Sequence, residues 1–283
     1  MEKKVEGGLS RSELGLDPAQ LESVVDEKAE QAARLAEIPD EVTHEENQRT
    51  LRKIDWCLMP IMGICYALQY LDKAALSQST LLGIKDVGNG GLGLHGSQFS
   101  WCTSIFYFGY LAFSAPSSYF IVRFPIGKYI ALVVTVWGGI LMCTAGCKSF
   151  SGLMAQRFFL GAAEAAVAPG FSLLTGMFYT RKEQPMRQAA WFLGNCLAII
   201  VGGLIAYGVG TIDNPSLPRW KILFLIEGSI TCAYGLTMFI TLPDSVGTAW
   251  FLNEDQRRIA IARTVKNNTG DVFEDLSRFL SRA

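Results

Sequence analysis

Residues 51–243 are short of charge, and above all of charge recurring every third or fourth position, the pattern that gives a soluble helix its wet face. The run YIALVVTVWGGILMCTAGC carries no charge at all, which excludes a soluble helical bundle. Paired cysteines are also missing. The seven cysteines (Cys57, Cys65, Cys102, Cys143, Cys147, Cys196, Cys232) lie within or at the ends of apolar runs with no C-x-x-C spacing, so neither zinc binding nor thiol exchange is expected. Cys143 and Cys147 share a helix face and read as small packing residues. Two histidines, His44 and His95, fall in a tail and a loop and receive no role. No nucleophile elbow, metal cluster or phosphate loop occurs, so the chain is expected to be no enzyme and to need no cofactor, metal or nucleic acid. The opening MEKKVEGGLSRSELG lacks an apolar centre, and no cleavable signal peptide is expected.

What is present is apolar length. Half of the 283 residues are hydrophobic and the mean hydropathy is +0.25. Six apolar segments have cores near 54–72, 98–121, 129–147, 152–178, 188–211 and 221–242, each close to or above the ~20 residues that cross a bilayer as a helix. The fold class predicted is all-α integral membrane. Charge divides the chain: residues 1–50 hold 13 acidic and 6 basic side chains, leaving 13 and 19 for residues 51–283. Three regions follow: an acidic cytosolic tail (1–50), a six-helix bundle (51–243) and a cytosolic amphipathic segment (244–283). Residues 17–37 read as a short surface helix or a solvated tail. NEDQRRIAIARTVK places Asn253 and Gln256 in capping-box positions and reads as a basic helix along the membrane surface.

Loops on one side carry Arg49, Arg52, Lys53, Arg123, Lys128, Arg181, Lys182, Arg187, Arg257, Arg258 and Arg263, against Lys73, Lys85, Lys148, Arg219 and Lys221 on the other. The positive-inside rule then places both termini in the cytosol, with the Asn267-Asn268-Thr269 sequon unglycosylated.

Within the fourth segment, RFFLGAAEAAVAPG sets Arg157 and Glu164 seven residues apart, about 20° around the axis and about 10 Å along it. Gly161, Ala168 and Thr175 extend this stripe. Ionisable groups at membrane depth mark a pathway, relay or site by default. The alternative is a structural pair, with Arg157 snorkelling outward and Glu164 bonded to a neighbouring helix. Matching polar stripes are expected on segment one (Met62, Tyr66, Gln69, Lys73, with Asp72 beside them), segment two (Ser100, Ser104, Tyr107, Ser114, Ser118) and segment five (Trp191, Asn195, Ala198, Gly202, Ala206), either as packing surfaces or as one polar interior. Glu227 in LFLIEGS is a further intramembrane carboxylate, either a proton-exchanging group or an inter-helix hydrogen-bonding one.

RFFLGAAEAAVAPGF, together with LQYLDKAALSQSTLLGIKD, SQFSWCTSIFYFGYLAFSAPSSY, RWKILFLIEGSIT and LPDS, resembles the allantoate permease-like branch of the major facilitator superfamily, the fungal anion:cation symporters, over roughly residues 48–270. The Arg157–Glu164 spacing is also similar to sialin and the vesicular glutamate transporters. The resemblance implies a twelve-helix fold in two halves, of which this chain carries the N-terminal six. It implies proton-coupled uptake of a small organic anion or vitamin-like carboxylate in the plasma membrane, or the vacuolar membrane; allantoate, nicotinate, pantothenate and small peptides all stay open. Arg157 would meet the substrate carboxylate, with Tyr66, Gln69, Tyr107 and Asn195 around it; Glu164 and Glu227 would carry protons; Asp72, Lys73, Arg123 and Lys128 would gate.

Three departures from the family pattern stand out. Val122 occupies the place of an Asp that usually precedes the loop arginine, VGNGG interrupts the first outer loop, and the chain stops at Ala283 after one half. The expected partners are therefore lipid, substrate and protons, with a second transporter half or a second copy. The competing expectation is a truncated, non-transporting fragment that pairs with or sequesters a full-length relative.

Overall fold

The structure, a computed structural model, describes residues 43–266; the acidic tail with its 17–37 helix, the Asn267 sequon and the last residues of the chain lie outside them. Nine α-helices are seen among the described residues: α1 (His44–Leu81), α2 (Gln98–Arg123), α3 (Ile126–Cys143), α4 (Phe150–Glu164), α5 (Val167–Phe178), α6 (Gln184–Phe192), α7 (Gly194–Gly210), α8 (Arg219–Thr241) and α9 (Glu254–Lys266). They make six spans long and apolar enough to cross a bilayer, α4–α5 forming the fourth and α6–α7 the fifth. The fold is the expected all-helical membrane bundle.

Three departures from a straight-helix reading matter. Helix α1 runs on to Leu81, so Lys73 belongs to a helix and not to a loop. The fourth span breaks at Ala165–Ala166. Pro169, three residues into α5, has no N–H for the Ala165 carbonyl and its ring crowds that carbonyl. The stripe read from Arg157 to Thr175 therefore loses its phase past Glu164. The fifth span is interrupted at Leu193, which separates Trp191 from Asn195.

Glycine sets the closest helix approaches. A Cβ at Gly161 would run into the Phe106 backbone and one at Gly109 into the Phe158 backbone, so α2 and α4 cross in main-chain contact, the small-residue packing that membrane helices favour. Between α3 and α8, Gly138 lies on Cys232, Gly228 on Gly138 and Met142, and Gly235 on Thr135. Tyr234 adds a hydroxyl bond to the Ile61 carbonyl (2.7 Å), tying α8 to α1. The VGNGG stretch is a built turn: Val87–Asn89 form a 3-10 turn closed by Gly90 at φ 69°, and the Gly90 carbonyl accepts from the Trp220 indole at 3.2 Å.

Candidate functional site

Helices α1, α3, α4 and α8 enclose the charges. Asp72, Glu164 and Glu227 have no exposed surface, and Arg157 is 2% exposed. Lys73 reaches across from α1 and its Nζ pairs with Glu164 Oε2 at 3.1 Å; the Lys73 side chain stays 34% exposed, so it joins the buried acid to the surface. Its ammonium also lies 5.4 Å from the Phe106 ring centroid. Gln69, buried on α1, and Tyr110 both lie within electrostatic reach of the Glu164 carboxylate. Glu164 is the last residue of α4, at the break in the fourth span.

Arg157 sits deeper. Its guanidinium is 5.3 Å from the Phe224 ring centroid, a cation–π distance. It interacts electrostatically with Glu164, Asp72 and Glu227, yet Nε and Nη2 have no hydrogen-bond partner in the protein. Asp72 has neither oxygen hydrogen-bonded. The Trp137 indole interacts with it from the edge of bonding geometry.

The structure gathers Gln69, Asp72, Lys73, Arg157, Glu164 and Glu227, the charged part of the expected site. Tyr66 lines the same side of α1 in an aromatic cluster, 4.4 Å from Trp191 and 5.7 Å from Phe192 between centroids. Tyr107 is 61% exposed and the α2 serines do not join the interior: Ser100 and Ser104 are exposed, and Ser118 bonds the Ser114 carbonyl of its own helix at 2.9 Å. Within this half the enclosed polar groups are therefore charges on α1, α4 and α8, and the α2 stripe lies on an exposed face. Asn195 is half-buried in the first turn of α7, beside Gly194, which rests on the Gly63 backbone of α1. Sequence reasoning passed over Trp137 and Tyr110. Tyr110, one turn from Tyr107, could have been found by extending that stripe; nothing in an uncharged run singles out Trp137.

The four residues expected to gate do not form one group. Asp72 and Lys73 are in the enclosure, whereas Arg123 and Lys128 lie at the end of the bundle where α1 begins. There the Lys128 N–H donates to Asp244 Oδ1 at 3.1 Å and its Nζ is 3.8 Å from Oδ2; Asp244 caps the start of α3. At the same end Arg187 Nε and Nη2 donate to the two oxygens of Asp55 at 3.2 and 2.9 Å. Arg263 Nη2 donates to Glu183 at 2.6 and 2.8 Å, and Lys53 donates to Gln256 at 3.0 Å. Burial, with Asp55 beside it, pushes the Tyr179 phenol well up. One arm of the expected capping box is present, the Asn253 N–H donating to the Gln256 side chain at 3.2 Å. Helix α9 turns Ile259, Ala260 and Ala262 into buried positions, so packing accounts for the apolar face read as membrane-facing.

The Major Facilitator Superfamily family model matches residues 55–279. Allantoate permease of Saccharomyces cerevisiae is 34% identical over 261 residues, covering 90% of this chain and 47% of that protein. The thiamine pathway transporter THI73 of the same yeast is 37% identical over 228 residues, 81% of this chain and 42% of that protein. A crystal structure of a bacterial homolog to the human lysosomal transporter Spinster, inward-facing and occupied, superposes with a TM-score of 0.56 at 16% identity, covering 65% of this chain and 43% of that one. The chain thus spans less than half the length of these proteins.

Proposed function

The chain belongs to the Major Facilitator Superfamily, and on that footing we propose that it forms one half of a secondary active transporter taking up a small organic anion together with a proton. The observation that carries this reading is the Arg157 guanidinium, buried among acids with its Nε–Nη2 edge unbonded by the protein. That edge matches a carboxylate with two parallel hydrogen bonds. Lys73 supplies the cation nearest the surface and draws an anion inward. Its pair with Glu164 supplies the coupling: a proton on Glu164 removes the charge that holds Lys73, which frees the ammonium for the incoming carboxylate. Alternating access moves one half against the other around such a midplane site. A second six-helix half, or a second copy, would cover the exposed faces of α2 and α7, where Tyr107, Leu111, Leu197 and Leu204 lie open.

The basic loops support a cytosolic position for the end bearing Arg187 and Arg263, and resemblance to the anion:cation symporters favours the plasma membrane. Similarity to an allantoate permease and a thiamine pathway transporter supports a small solute as substrate, and the buried, unbonded guanidinium edge narrows the proposal to one with a carboxylate or like anion.

In a complete transporter carrying these helices, Arg157→Lys is expected to weaken anion binding strongly, because the planar fork is lost. Glu164→Gln is expected to spare binding and exchange while abolishing pH-driven accumulation. Uptake per surface-exposed molecule at two pH values checks both. Wild-type turnover and an unchanged pH response in both variants would show that the charges are scaffolding.

A further inference from the structure

The orientation of the Arg157 guanidinium is not set by hydrogen bonds from Nε and Nη2, which have none in the protein. What lies against the group is a ring. Its Cζ stands over Phe224 at 5.3 Å from the ring centroid, and Phe224 is fully buried on α8. A cation held over an aromatic face is attracted by the ring quadrupole, and a planar guanidinium seated there keeps its N–H edge free for a ligand. An aliphatic side chain in the same place would fill the volume without fixing the group.

Phe224 is itself braced. Trp220, one turn earlier on α8 and also fully buried, meets it edge to face, with centroids 6.4 Å apart and planes at 78°, a favoured aromatic geometry. The Trp220 indole N–H donates to the Gly90 carbonyl at 3.2 Å, and the Lys221 ammonium lies 5.2 Å from the centroid of the same ring. Only glycine suits position 90. Its φ of 69° is one that other residues rarely adopt, and a Cβ there would come within 2.7 Å of the Pro218 ring. The VGNGG turn, which interrupts the family pattern, therefore anchors a line of contacts that runs from Gly90 through Trp220 and Phe224 to Arg157.

We infer that Phe224 is the positioning residue of the proposed anion site: its ring holds the Arg157 guanidinium in one orientation with the Nε–Nη2 edge free, and Trp220, latched to the Gly90 carbonyl, holds the ring. Phe224 acts through Arg157, because a side chain ordered beforehand spares the binding step that cost. What the edge receives rests on the transporter reading; the contacts themselves stand on the distances above.

NMR of the purified full chain with 15N-labelled arginine tests this, the Arg157 Nε–H signal being assigned by its loss in Arg157→Lys. In the wild type this bond should be as ordered as rigid backbone, with an order parameter of about 0.85, and in Phe224→Leu it should fall below about 0.6. Phe224→Tyr should restore it. Trp220→Phe, which keeps an aromatic ring and loses the indole N–H, should lower it. Titration with allantoate as the probe, followed on the same signal, should show about tenfold weaker binding in Phe224→Leu, the size of a desolvated cation–π contact, and recovery in Phe224→Tyr. A mobile Arg157 in the wild type would overturn the inference. So would wild-type order in Phe224→Leu or Trp220→Phe, or undiminished allantoate affinity in Phe224→Leu. If Phe224→Leu does not fold, Trp220→Phe decides alone. An Arg157 whose order follows every substitution as stated, but whose signal ignores allantoate in the wild type, would sink the anion-site reading and leave the positioning contact standing.

Discussion

Arg157 and Arg187 present the same edge of the same side chain to different surroundings. Arg187, at the end of the bundle, gives Nε and Nη2 to both oxygens of Asp55 and lies 5.3 Å from the Tyr179 ring centroid. Arg157, deeper and nearer to more acids, gives that edge to none of them. Energetics alone would favour the reverse, since the more buried ion gains more from a close partner. The difference lies in where the acids are anchored. Asp55 stands opposite Arg187 at close range, whereas Asp72, Glu164 and Glu227 are fixed on three helices around Arg157, and Glu164 is already taken by Lys73. Pairing at the end of the bundle holds helices together. Lack of close pairing in the middle leaves a guanidinium edge unbonded, the feature on which the proposed anion site rests.

Substitutions can break or sharpen this contrast. The largest effect is expected for Arg157→Ala, which leaves Asp72 enclosed without its cation and should cost about 3–5 kcal/mol, read as a lowered thermal midpoint of the purified chain. Adding Asp72→Asn should recover much of that loss. A single variant no worse than Arg187→Ala would erase the distinction between the two regions. Arg187→Ala comes next, at about 1.5–3 kcal/mol for charge-assisted hydrogen bonds. Asp55→Asn should cost a similar amount, and the double variant clearly less than the sum, a coupling that a double-mutant cycle measures. Lys128→Ala should be smallest, about 0–1 kcal/mol, because its side chain is 66% exposed and its ammonium is 3.8 Å from Asp244. Asp244→Ala should exceed it, at about 0.5–2 kcal/mol for a lost helix cap, since the carboxylate also holds the Lys128 N–H. Equal losses for this pair would mean that the ion pair, not the cap, is what matters there.

Much of this architecture is legible in the residues. Apolar length marks all six spans, and a charge inside an apolar run is conspicuous, which is why Arg157, Glu164 and Glu227 stand out. Periodicity fails where it assumes a straight helix. Pro169 breaks the fourth span just past Glu164, so Ala168 and Thr175 cannot be phased from Arg157. Lys73 reads as a loop cation because an ionisable residue near the end of an apolar run resembles a boundary. Its place becomes visible only when Glu164 is found opposite it. Trp137 is hidden for a different reason: as an aromatic in an uncharged run it reads as core, and its role depends on a partner 65 positions away in the chain. The α2 serines mislead in the opposite sense, because a hydroxyl in a membrane helix can satisfy itself on the carbonyl one turn back.

The glycine seam between α3 and α8 has a mechanical consequence. With Gly138, Gly228 and Gly235 each pressed against the facing main chain, neither helix can slide along the other without lifting out of register over its neighbour's ridges. Packed interfaces of this kind switch between discrete arrangements instead of deforming smoothly. The third and sixth spans should therefore travel as a single strut, with Trp137 and Glu227 riding on it as fixed cargo. Bending is left to the fourth and fifth spans, whose hydrogen-bond ladders are already interrupted beside Glu164 and at Leu193.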